Sequence, residues 1–288
     1  MRIDLHVHSN ASDGTDAPRD VVMKAHALGL GGVALTDHDT VGGYADALAG
    51  VQSLADSGSA AFAFVPGVEI SCMHDGISLH VLGYLFDATD AELAQELELL
   101  RTDRVRRARA MVDKLVALGA PISWQQVSDV AGAGVVGRPH VARALVAAGV
   151  VDDVAGAFVP DWIGDGGRAY VEKYSLTPHR AIALVKAAGG VTVFAHPAAS
   201  ARGRVVDVGA IESFTAAGLD GLEVDHPDHD EPTRARLRSL ARDLGLLVTG
   251  SSDYHGSVKE TPLGANTTDP DVFDAIVERA TGARVVYA

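Results

Sequence analysis

The sequence predicts an α/β protein, a distorted (β/α)7 TIM-like barrel with an inserted helical subdomain. Three observations predict it. Short apolar strands alternate with helix-periodic segments in the first and last parts of the chain. The middle, from Asp90 to about Ala148, shows helical periodicity only. Ionisable side chains recur where strands pass into the loops that follow, and in parallel barrels those ends converge on one face.

In order, Ile3, Leu5 and Val7 alternate with Asp4, His6 and His8. A strand therefore places both histidines on one face at its C-terminal end, within reach of one ion. Asp13 follows in a Ser/Asn/Asp/Gly loop that can fold back and offer a carboxylate. Val21, Val22, Ala25 and Leu28 have helical spacing, and the glycines from Gly29 end that helix. Val33 to Thr36 then repeats the opening unit and runs straight into Asp37-His38-Asp39. A second helix over 43–57 leads to the strand Phe62–Val65 and on to Glu69, a carboxylate among apolar neighbours that would be costly to bury unpaired. A fourth strand, Ser78–Leu85, holds His80.

Within the helical middle, the run of arginines from Arg101 to Arg109 reads as a solvated helix face. Gly137-Arg138-Pro139-His140 opens a further helix with Pro139 in its first turn. Anions favour a helix N-terminus, so Arg138 is a candidate phosphate clamp. From Thr177 the α/β rhythm resumes, and three strands end in His196-Pro197, Asp225-His226-Pro227 and Ser251-Ser252-Asp253-Tyr254-His255. The expected division is a barrel of residues 1–87 and 178–288 with an insert at 88–177.

Composition narrows the function. At 288 residues, with 47% hydrophobic and 22% charged, the chain is a folded protein and not a disordered one. A net charge of −14 excludes an extended nucleic-acid face, which would need clustered Lys and Arg. The single cysteine, Cys72, excludes an internal disulfide and a thiolate cluster, and reads as a small buried apolar residue. Neither a signal-peptide pattern nor a membrane-length apolar run is visible, so a cytoplasmic location and no membrane partner are expected. His26, His74 and His179 do not follow strand ends and take structural roles.

The His and acidic side chains that do follow strand ends, between His6 and His255, form a mixed set without cysteine. Imidazoles and carboxylates without thiolate suit manganese, iron(II) or zinc. Nine ligands exceed what one ion takes, so two or three divalent ions are expected, at the spacing of about 3.5–4 Å used for phosphate-ester hydrolysis.

His6-Val7-His8, Asp13-Gly14, Thr36-Asp37-His38, Glu69, His80, His196-Pro197 and Asp253-Tyr254-His255 together resemble the polymerase and histidinol phosphatase (PHP) domain. The resemblance implies a trinuclear site: His6, His8, Glu69 and Asp253 on one metal, Glu69, His80 and His196 on a second, and Asp13, His38 and His255 on a third. Manganese is the expected metal, with Fe²⁺ or Zn²⁺ as alternatives. Gly137-Arg138-Pro139-His140, Glu223-Val224-Asp225-His226-Pro227 and Gly250-Ser251-Ser252-Asp253-Tyr254-His255-Gly256 resemble the branch of 3′,5′-nucleotide bisphosphate phosphatases and 5′-to-3′ exoribonucleases. That branch implies a small phosphorylated substrate, a nucleotide or short oligoribonucleotide, with Arg138 and His140 on its second phosphate and His226 protonating the leaving group. Arg202 stands later than the arginine expected beside the His-Pro pair, after Ala198-Ala199-Ser200-Ala201, and is the substrate contact carried over there. A histidinol-phosphate phosphatase, or another small-molecule phosphatase on the same barrel, is the alternative enzyme. A catalytically silent or polymerase-associated metal-binding module is the alternative outside catalysis.

Overall fold

The computed structural model describes residues 2–58, 61–132 and 136–288. Its frame is one sheet whose strands lie side by side in chain order. β1 (Ile3–Val7), α1 (Pro18–Ala27), β2 (Gly32–Leu35), α2 (Tyr44–Asp56) and β3 (Ala63–His74) form two successive parallel units. β4 (Ile77–Tyr84) follows by a tight turn. After a long helical stretch come α7 (Pro178–Ala187), β5 (Val191–Phe194), α8 (Val208–Ala216), β6 (Gly221–Asp225), α9 (Glu231–Leu244) and β7 (Leu247–Gly250), with β5, β6 and β7 again parallel. That stretch holds α3 (Ala91–Ala117), α4 (Trp124–Ala131), α5 (Arg138–Ala147) and α6 (Val154–Ala157). A parallel bridge between Val7 and Tyr254, just past β7, brings the last strand back to the first, so the barrel nearly closes. α10 (Pro270–Arg279) packs across its end, and β8 (Val286–Tyr287) pairs with β3.

Local chemistry explains the helix starts. The side chains of Asp90, Thr177, Asp207 and Asp230 each accept a backbone N–H in the first turn of α3, α7, α8 and α9. Proline occupies the first turn of α1, α5, α7, α9 and α10, where its missing N–H has no helical partner to lose. The helices cover the outside of the barrel and pack on Val68, Ile70, Leu222 and Val224 on one side, and on Val33, Leu35 and Phe64 on the other.

Two features depart from the sequence reading. β3 does not stop at Val65 but continues through Pro66 to His74, and β4 runs antiparallel to both β3 and β5. The cause is the Asp75-Gly76 turn, in which both residues have positive φ (48° and 72°), the conformation a two-residue hairpin requires. His80 therefore lies within a reversed strand, paired with Ser71, and not at a C-terminal strand end.

α3 is 27 residues long and serves two cores. Leu93, Leu97 and Leu100 pack into the barrel core, whereas Ala108, Met111, Val112 and Leu115 join α4, α5 and the following loops in a second one. Helical packing on the barrel thus extends past residue 88, and the cleft described below opens between the two halves of α3. No helix among the described residues is long and apolar enough to cross a membrane. Met111 is fully buried in the second core. Met111→Ala is expected to cost about 2–5 kcal/mol of unfolding free energy, measured by urea unfolding.

Candidate metal centre

Backbone pairing draws the strand ends together before any side chain acts. The Asp39 N–H donates to the Glu69 carbonyl (3.0 Å), and the His8 N–H donates to the Tyr254 carbonyl (2.9 Å). All nine sequence-predicted ligands meet at this end of the barrel. His8, Asp13, His38 and His255 offer ligand atoms within 4.8 Å of one another, as do His6, His8 and Asp253, and His38, Glu69 and His80. His196 lies outside those three groups, but its Nε2 is 3.2 Å from Glu69 Oε1 and 3.4 Å from His80 Nδ1.

Glu69 is the hub. Its Oε2 is 3.2 Å from His6 Nε2, 3.1 Å from His8 Nε2 and 3.2 Å from His38 Nδ1. Its Oε1 is 2.7 Å from His80 Nδ1 and 3.2 Å from His196 Nε2. The residue is buried, so its charge needs compensation on both oxygens. Burial pushes Asp13, Glu69 and Asp253 up, yet the surrounding imidazoles, with Lys259 and Arg202 at Asp253, hold all three well below the usual carboxylate range. The carboxylates are therefore ionised, as cation ligands must be.

The imidazoles crowd one another at hydrogen-bonding distance. His6 Nε2 and His8 Nε2 point at each other across 3.0 Å. His38 Nδ1 is buried without a hydrogen bond. Burial and Arg202 push His196 down to about 3, which keeps it neutral. Converging lone pairs of this kind fit divalent cations.

Several residues outside the predicted ligand set hold the ligands in place. His6 Nδ1 lies 2.9 Å from Glu223 Oε1, a partner that takes its N–H in the tautomer whose Nε2 lone pair faces Glu69 and suits a cation. The same Glu223 accepts the backbone N–H of His196 at Oε2 (2.7 Å) and the Ser251 hydroxyl at Oε1. One buried carboxylate thus ties the ends of β1, β5 and β7. Asp253 turns Oδ1 toward His6 and His8, while Arg202 Nη2 and Lys259 Nζ each donate to its Oδ2 (both 2.7 Å). Asp39, His196 and Asp253 all have positive φ (55°, 32° and 50°), a backbone strain that clusters at this one site.

The outer acids differ in what they touch. Asp4 does not reach a histidine ring; it accepts the backbone N–H groups of His6, Ser252 and Gly264. Asp37 accepts from Ser9 and Ser12, and Asp39 from Ser71 and Arg104. The sequence offers Glu223 only as part of the Glu223-Val224-Asp225-His226-Pro227 stretch and gives it no role, because a strand-interior acid carries no sign of which ring it will meet.

The centre forms the floor of a cleft of about 280 Å³ between the barrel and α3, α5 and the 158–174 loop. Arg138 and Arg202 line it; His140 and His226 do not. His140 Nδ1 accepts the Gly137 N–H at the start of its own helix, and burial together with Arg143 pushes it down to about 4. It caps a helix. His226 is fully buried behind Asp253, with Nδ1 accepting the Asp228 N–H and Nε2 3.4 Å from Asp253 Oδ2. There it touches Asp253 and does not line the cleft. Arg202 is held by Asp228 and Asp253, so it is first a support for Asp253.

Barrel and donor set together define a protein whose clustered His, Asp and Glu side chains suit divalent metal beneath a cleft. Residues 4–118 match the PHP domain. A 5′-3′ exoribonuclease of Haemophilus influenzae is 32% identical over 277 residues, 96% of this chain and 97% of that protein. A 3′,5′-nucleoside bisphosphate phosphatase of Chromobacterium violaceum is 32% identical over 259 residues, covering 88% and 87%. A solved structure from Bifidobacterium adolescentis, described by inference as a metal-dependent phosphoesterase, superposes with a TM-score of 0.88 at 36% identity, over 97% of this chain and 96% of that one. The chain belongs to the PHP domain family.

Glu223→Gln is expected to weaken divalent-cation binding 10- to 100-fold, roughly the effect of losing a ligand-orienting partner. Metal retained against a graded chelator series, with the fold checked by circular dichroism, measures it; unchanged retention would refute the assignment.

Proposed function

We propose that this PHP-family enzyme hydrolyses phosphate monoesters of nucleotides, with the 3′-phosphate of a 3′,5′-bisphosphonucleotide as substrate and 5′-to-3′ trimming of short RNA as a second activity. The observation that supports it best is the meeting of nine imidazole and carboxylate ligands at the floor of a cleft whose helical wall presents Arg104, Arg107, Arg138 and Lys173. The names of the two relatives fit both activities.

In this reading His6, His8, Glu69 and Asp253 hold one divalent ion, Glu69, His80 and His196 a second, and Asp13, His38 and His255 a third, with manganese the expected metal. When bound, such ions supply a water of pKa about 7 and neutralise charge on phosphoryl oxygens. The chain does the rest. Glu69 spans the cluster because its two oxygens face different histidines. Glu223 fixes the tautomer of His6, and Arg202 with Lys259 aims Oδ1 of Asp253 inward. Arg138, at the opposite wall, is placed to meet the part of the substrate that does not react. His226 supports Asp253 and takes no part in proton transfer.

The alternative substrate, histidinol phosphate, bears an ammonium group. A cleft wall with surplus positive charge disfavours it. A silent or polymerase-associated module is disfavoured by a complete ligand set, since burying these charges has no benefit to folding alone.

Metal analysis of the purified protein should return two to three divalent ions per chain. With Mn²⁺ it should release phosphate from adenosine 3′,5′-bisphosphate at least tenfold faster than from histidinol phosphate, and shorten a 5′-phosphorylated RNA oligomer from its 5′ end. Preference for histidinol phosphate, or a chain without metal, would overturn this reading.

A further inference from the structure

Five lysines stand in the chain. Three are paired with carboxylates: Lys24 with Asp16, Lys186 with Asp220 and Lys259 with Asp253. Lys114 of α3 is exposed and donates to the Tyr170 carbonyl. Lys173 alone is half-buried, borders the cleft and has no carboxylate partner among the described residues. Its Nζ donates to the Ser78 hydroxyl (2.8 Å). A hydroxyl accepts that bond without the negative charge that holds a proton on an ammonium.

The surroundings favour the neutral amine further. Arg104 and Arg107 of α3 and Arg138 of α5 border the same cleft. Asp39, the acid that pulls the other way, is already bound by Arg104 (2.6 Å). Burial and then Arg104, with Arg138 and Arg107 adding to them, push Lys173 down to about 8. Lysines desolvated beside other cations are the ones that serve as nucleophiles. At pH 7 about one in ten such amines is neutral, against about one in 2,500 for an unshifted lysine. Arg107 pairs with no carboxylate among the described residues; its Nε donates to the Val171 carbonyl (2.6 Å). An uncharged amine thus shares a small cavity with a guanidinium free to attract an anion.

We propose that Lys173 is a nucleophilic amine and a site of covalent acylation by acyl phosphates, with Arg107 holding the phosphate as it leaves. The nitrogen lone pair attacks the carbonyl carbon of the mixed anhydride and an N–C bond forms. The C–O bond to phosphorus's bridging oxygen breaks, and phosphate departs with that electron pair. One amine proton goes with it, so amine and acyl phosphate give amide and hydrogen phosphate, and nothing is oxidised or reduced. The amide carries no charge, so acylation removes one cation from the cleft wall. Under the phosphoesterase reading, the supply of acyl phosphate would then set how strongly the cleft attracts anionic esters.

The Mn²⁺-loaded full chain, exposed to acetyl phosphate and digested for mass spectrometry, tests this by competition among its own lysines. Lys114 is the reference, being exposed and unpaired with a carboxylate. Nucleophilicity falls with basicity, so of a roughly 250-fold advantage in neutral amine about tenfold should remain in the Lys173 to Lys114 ratio of acetylation rates. The Lys173 rate should level off above about pH 8, where deprotonation is complete, while the Lys114 rate keeps rising to pH 10. A Lys173 that reacts no faster than Lys114 would overturn the nucleophile. Acetic anhydride, which has no phosphate to hold, should give a ratio at least threefold lower than acetyl phosphate does; equal ratios would overturn acyl phosphate as the donor. Arg107→Gln should lower the ratio for acetyl phosphate by a similar factor, and a ratio that stays put would remove Arg107 from the step. The readout needs no turnover, so a chain inert toward every ester would sink the phosphoesterase reading and still report on Lys173.

Discussion

The structure depends on one buried charge. Glu69 sits below the surface with five imidazoles on its two oxygens: His6, His8 and His38 on one, His80 and His196 on the other. Every proton added to bind Glu69 leaves a ring cation beside other rings, and every proton removed leaves lone pairs facing each other at distances such as the 3.0 Å between His6 and His8. A divalent cation resolves both problems, because it accepts several lone pairs and carries the opposing charge. The positive φ values at His196 and Asp253 and the backbone bridges across strand ends are what keep these groups converged.

Around that hub the protein divides two jobs between its acids. Glu223 works on a ring, setting which nitrogen of His6 faces the cluster. Asp4 works on the backbone, where three N–H groups from β1, the turn after β7 and Gly264 end on one carboxylate. Asp4 is pushed up to about 6 by burial, against the pull of Ser252 and its other N–H donors. A similar division holds at Asp253. One oxygen faces the histidines and the other is fixed by Arg202 and Lys259, so its aim does not depend on the metal.

Much of this was legible in the sequence because strand ends in a barrel must converge. His6, His8, His38, His196, Asp253 and His255 were readable from that rule alone. What escaped was direction and depth. Alternation in Ser78–Leu85 gives a strand but not its sense, and only the Asp75-Gly76 turn disclosed that β4 runs backward. His80 reaches the centre because the hairpin places it opposite Ser71, not because it ends a strand. The arginine run of α3 misled for a related reason. Helical spacing separates faces but does not say which face meets solvent, and in a helix that leaves one core to enter another the face between them borders a cleft. Arg101 and Arg106 are the solvated residues the pattern implied; Arg104 and Arg107 are turned inward.

The same geometry resolves how an acidic chain can attract an anion. At long range a net charge of −14 repels polyanions, and an extended nucleic acid would meet that repulsion along its whole length. Within the cleft the low-dielectric walls of α3 and β4 weaken screening, so a few cations at short range dominate the local field. Asp39, Asp103 and Asp165 each cancel one arginine, which leaves Arg107 and Lys173 to set that field. The balance therefore favours a short ligand with its charges concentrated at one end. Such a ligand senses the wall and the centre together, whereas a long one also senses the rest of the surface.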